Sequence, residues 1–67
     1  MEDLLAIRNA NGVLKGHIEI KPNGDKVVTD FMWNVLGYYR SFNDTTTDYN
    51  GRIISYGDTA SGLIKLD

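Results

Sequence analysis

Three stretches of this chain are copies of one another, and that repetition limits what it can fold into more than any other feature. Thr29–Tyr38 aligns on Thr47–Tyr56 without a gap: Thr, Asp and the final Tyr are identical, and Phe/Tyr, Val/Ile, Leu/Ile and Gly/Ser are close substitutions. A weaker third copy, Arg8–His17, keeps Asn9 for Asp, Leu14 for Val/Ile and Gly16 for Gly/Ser. The copies start 21 and then 18 residues apart. Self-similarity at that spacing means one supersecondary unit used repeatedly.

The unit reads as a β-hairpin. Asn11-Gly12 and Asn50-Gly51 are the preferred pair for a two-residue type I′ turn, whose central residues both need positive φ. Apolar or β-branched residues follow each pair. Between units lie Pro22-Asn23-Gly24-Asp25 and Ser41-Phe42-Asn43-Asp44, both rich in turn formers. The chain is therefore expected to be an all-β antiparallel meander, with strands near 4–9, 13–20, 26–31, 34–40, 45–49, 52–56 and 62–66. Helical spacing of Phe31, Met32, Val35, Leu36 and Tyr39 behind Asp30 offers a competing helix. Gly37 and the ungapped match to an Asn-Gly hairpin favour the hairpin. A short helix or turn at Asp58–Ser61 is a further alternative.

Two-residue turns allow facing to be counted, because side chains alternate along a strand. Ile7 falls opposite Gly16 and Arg8 opposite Lys15. Three layers then share the predicted interior. Leu14, Val35 and Ile53 form an apolar layer, Gly16, Gly37 and Ser55 a small one, and Asn9, Asp30 and Asp48 a polar ring near the turns. Small residues recurring at one level suit a narrow barrel. Closure would also remove the exposed edges of a sheet. The expected architecture is a small antiparallel meander barrel of pseudo-symmetric hairpins, one domain over residues 1–67.

Composition agrees with one thin domain. A chain of 67 residues buries only about 60% of its unfolded surface. With no cysteine, no disulfide or thiolate metal site supports it. Seven Lys/Arg against nine Asp/Glu leave a net charge of -2 and no basic footprint, so nucleic acid is not an expected partner. The start, MEDLLAIR, lacks the basic residues and long apolar run of a signal peptide, and no apolar run approaches the roughly 20 residues of a membrane span. The expected location is cytoplasmic.

The motifs Asn11-Gly12-Val13-Leu14-Lys15-Gly16-His17, Val35-Leu36-Gly37-Tyr38 and Asn50-Gly51-Arg52-Ile53-Ile54-Ser55-Tyr56 resemble those of the β-flower proteins, over about residues 7–57. These are small bacterial proteins described as shallow symmetrical barrels with hairpins splayed as petals. The chain departs from that pattern where Met32-Trp33 replaces the Asn-Gly tip and where Ser55 replaces a glycine. The resemblance implies no enzyme activity. Through a proposed similarity to tubby-like lipid-binding barrels, it implies a role at a membrane surface.

Candidate site residues follow from the departures. Met32-Trp33 puts a large apolar pair at a hairpin tip, costly in water, which reads as a contact surface or as a different turn whose Trp folds back over the barrel. Five of the seven aromatics lie between 31 and 42. Tyr38 and Tyr56 are repeat equivalents on a face where a half-solvated strand would carry polar residues, so neighbouring hairpins or another subunit must cover them. Met32, Trp33, Tyr38 and Tyr56 are therefore the expected ligand- or partner-binding residues, and a homo-oligomer the expected state. A small apolar ligand or a membrane surface is the other candidate partner. Asn9, Asp30 and Asp48 read either as a small-ligand or cation site at the barrel mouth or as Asx turns bonded to their own backbone. His17, the only histidine, shares its repeat position with the two tyrosines, and no nucleophile or metal-binding motif accompanies it. The expectation is a non-enzymatic binding module with no cofactor or metal, or a purely structural accessory domain.

Overall fold

A computed structural model describes residues 3–66. Six antiparallel strands run β1 (Asp3–Arg8), β2 (Leu14–Ile20), β3 (Lys26–Asp30), β4 (Val35–Arg40), β5 (Thr45–Asp48) and β6 (Ile53–Tyr56), followed by a 3₁₀ helix at Ala60–Leu63. Each strand pairs with its sequence neighbours in the order β1-β2-β3-β4-β5-β6. The fold is thus an all-β meander, and residues 30–39 form strand and turn instead of a helix. Among the described residues no helix is long and apolar enough to cross a membrane.

The barrel is not closed. β1 and β6 lie at opposite ends of the sheet and do not pair. Nor does a seventh strand form at 62–66; that stretch holds the end of the 3₁₀ helix and the extended residues after it. Gly57, at φ 85°, turns the chain away at the end of β6. The C-terminal segment then crosses the inner face, and the small residues of the repeat are where it lands. Ile64 lies over Gly16 and Leu63 over Gly37, and the Thr59 hydroxyl bonds to that of Ser55. Asp58 pairs with Lys26, and the Thr59 N–H donates to Thr46 Oγ1 at 3.1 Å. The core is therefore the sheet's inner face plus this segment: Ile18, Val28, Ala60 and Ile64 are buried, with Ile7, Ile20, Leu36, Tyr39 and Leu63 packed around them.

The turns also differ from type I′. Only one residue in each of the three repeated turns has positive φ: Gly12 at 80°, Trp33 at 69° and Gly51 at 88°. That residue's N–H donates to the carbonyl of Asn9, Asp30 or Asp48 at 3.0 Å, while the N–H of the Asx residue donates to Val13, Asn34 or Arg52 at 2.9–3.0 Å. This is a three-residue loop, a type I turn followed by one left-handed residue. Each hairpin carries a second irregularity, a β-bulge that adds Lys15, Leu36 or Ile54 to the returning strand. A bulge shifts the facing of what lies beyond it. Ile7 does pair with Gly16, but Arg8 pairs with Leu14 instead of Lys15. The apolar layer consequently leaves the interior: Val35 and Ile53 are 38% and 46% exposed and Leu14 half-buried, while the bulged Leu36 packs against the core.

Candidate interaction surface

Each of the three repeated hairpins is fastened by its first residue. The Asn9 side-chain Oδ1 accepts the backbone N–H groups of Asn11 and Val13 at 2.9 and 3.0 Å. Asp48 Oδ1 does the same for Asn50 and Arg52, at 2.9 and 3.0 Å. Asp30 Oδ1 accepts Met32 and Asn34 N–H at 2.9 Å each, and its Oδ2 accepts the Asn34 side-chain amide at 3.2 Å. The Asn34 backbone N–H holds the Asp30 carboxyl below its usual range, helped by the Asn34 amide and Met32 N–H against a partial desolvation. These side chains are thus engaged with their own turns, as Asx residues commonly are. Among the described residues no three His, Cys, Asp or Glu side chains are grouped to hold a metal ion.

The clamp on Asp30 fixes an apolar tip. Phe31, Met32 and Trp33 are 58%, 67% and 57% exposed. Trp33 occupies a backbone region that disfavours bulky residues, where the sibling hairpins have glycine. Its indole folds back across the outer face and stacks on His17, with ring centroids 3.7 Å apart and planes 8° from parallel. The stack covers the imidazole, which is buried with Nδ1 3.4 Å from the Asp30 carbonyl. Trp33 is therefore both half-exposed and anchored.

The other two predicted contact residues share the outer face with the stack. Tyr38, opposite Thr47, is half-buried, and the Arg40 guanidinium lies 4.7 Å from its ring centroid. Tyr56, opposite Thr45 on the last strand, is 81% exposed. Between them Thr45 and Thr47 are buried, the Thr47 hydroxyl without a hydrogen-bond partner among the described residues. Met32 and Trp33 sit at the tip, so the four predicted residues divide between tip and outer face.

A cavity of about 280 Å³ opens on the inner side of the same tip, lined by Lys15, Asp30, Phe31, Leu36, Leu63 and Lys65. Its lining combines three apolar residues with two lysines and the acidic Asp30. Of its lining, only Asp30 is among the predicted site residues. Phe31 and Leu36 were legible as apolar residues of the repeat. Leu63 and Lys65 reach the site only through the C-terminal crossing, which no local pattern announces. Compared with protein-family models, curated proteins and solved structures, the chain matches none.

Proposed function

We propose that this domain is a non-enzymatic interaction module that self-associates and holds out its Phe31-Met32-Trp33 tip for an apolar partner surface. The observation that carries this reading is the contrast between its two faces. The chain's own C-terminal segment packs on the inner face, whereas three large apolar residues stand more than half exposed on a tip whose backbone Asp30 clamps. Apolar exposure on a rigid element favours contact over solvation, and fixing the tip in advance lowers the entropy lost on binding. Among the described residues only four apolar side chains are buried, so a second copy would add area that this chain lacks.

Two measurements test the reading. Light scattering should give a solution mass that is a multiple of the chain's 7.5 kDa. Trp33 is the only tryptophan, so its fluorescence reports on the tip alone. Titration with phosphatidylcholine vesicles, as an apolar test surface, should shift that emission to the blue, and Met32→Ser should reduce the shift. A monomeric mass at every concentration, with emission unchanged by the vesicles, would contradict the proposal.

A further inference from the structure

The two open edges of the sheet are not equivalent. Among the described residues β1 bonds only to β2 and β6 only to β5, so each presents a row of unpaired backbone groups. β6 is four residues long, and Gly57 bends the chain away directly after it. Ser55 closes it further. In the interior strands the equivalent positions are Gly16 and Gly37, where a Cβ would lie 2.4 Å from the Thr29 carbonyl oxygen and 2.2 Å from that of Thr47 on the next strand. A strand docked on β6 in the same manner would strike the Ser55 Cβ. The repeat therefore does not continue from β6 into another copy.

β1 carries none of these obstacles. Its six residues, Asp-Leu-Leu-Ala-Ile-Arg, include no glycine, proline or lysine, and Leu4 and Leu5 are 55% and 47% exposed. Charge is confined to its two ends, negative at Asp3 and positive at Arg8. Antiparallel pairing of two such strands sets each acidic end beside a basic one.

We propose that β1 is the self-pairing edge of this protein: a second copy adds its own β1 antiparallel across a two-fold axis, with Ala6 opposite Ala6. This rests on the reading that the chain self-associates. The register follows from the backbone. Asn9 bonds toward β2 through its N–H and C=O, and these groups alternate along a strand, so Arg8, Ala6 and Leu4 direct theirs outward. A two-fold axis normal to the sheet keeps like faces together. It therefore pairs Ala6 with Ala6, Leu4 with Arg8 and Leu5 with Ile7. The register centred on Leu5 would instead set the Asp3 carboxylate against Ile7. The product is one continuous sheet with both C-terminal segments on the same side and the two tips at opposite ends.

Because the chain has no cysteine, single substitutions give a direct test. Ala6 and Tyr56 are exposed, so Ala6→Cys and Tyr56→Cys keep the fold, which circular dichroism checks. Facing residues of a hydrogen-bonded antiparallel pair lie about 5.5 Å apart at Cα, within disulfide range. Under mild oxidation Ala6→Cys should become mostly covalent dimer, and Tyr56→Cys should not. Leu4→Lys should reduce the solution mass to that of one chain. An oligomer in which Ala6→Cys stays uncrosslinked, or Tyr56→Cys crosslinks instead, overturns the β1 seam while self-association stands. A monomeric wild type overturns both.

Discussion

Gly37→Ala is expected to lower the thermal midpoint by roughly 15 °C or more, or to abolish a cooperative transition altogether. The added Cβ would lie 2.2 Å from the Thr47 carbonyl oxygen and 2.7 Å from Leu63 Cδ1. No rotamer relieves a clash with backbone, so β4 and β5 must separate or the C-terminal segment must lift. Overpacking of this kind costs about 3 kcal/mol. A chain of this length holds roughly 3–10 kcal/mol in total, so that is a large share. Gly16→Ala should behave alike, since its Cβ would meet the Thr29 carbonyl oxygen at 2.4 Å and Ile64 at 3.0 Å. Ser55→Ala is the control. It sits at the same repeat position but on an edge strand, and loses only a hydroxyl bond to Thr59, worth about 1 kcal/mol. Thermal melts of the three variants would separate a close approach of strands from a general intolerance at this level. Equal midpoints for Gly37→Ala and Ser55→Ala would contradict the close approach.

The second large effect lies in the segment that follows β6. Ile64→Ala is expected to cost about 2–5 kcal/mol, because it empties a position 4% exposed in a core with few other buried side chains. Gly16 gives the sheet nothing to refill that space. The neighbouring Leu66→Ala, at a position 48% exposed, should change stability by less than about 0.5 kcal/mol. Urea unfolding followed by circular dichroism measures both. Ile64→Ala matching Leu66→Ala would mean the segment does not hold the sheet together.

The two effects show which parts of the fold are legible in the residues themselves. Six strands and their order follow from the repeat, because Asx residues, glycines and alternating apolar residues act locally. The small layer of Gly16, Gly37 and Ser55 is likewise visible in sequence, but its purpose is not. Missing side chains fit the taper of a barrel as well as they fit a covering segment, and only tertiary structure distinguishes them. Facing fails at Leu14, Val35 and Ile53 because two irregularities per hairpin lie between turn and strand, and each moves the count by one residue. Leu63-Ile64-Lys65-Leu66 resembles a strand in composition. Gly57 takes that stretch off the edge of β6, and Leu63 and Ile64 pack over Gly37 and Gly16.

The candidate surface divides in the same way. Met32 and Trp33 stand out in sequence because they replace Asn-Gly; Trp33 folds onto His17 while Met32 stays in solvent. The unlike edges depend on register and on what each Cβ would touch, so they emerge only from coordinates.

The chain's own C-terminal segment covers the inner face, which leaves the tip, the outer face and the β1 edge for partners. Nuclear Overhauser contacts test that most directly, since the glycine Hα protons lie beneath the covering side chains. Cross-peaks from the Ile64 methyls to Gly16 Hα and from the Leu63 methyls to Gly37 Hα are the expected result. Their absence, together with backbone contacts between β1 and β6 within a monomer, would mean a closed barrel and would contradict the account.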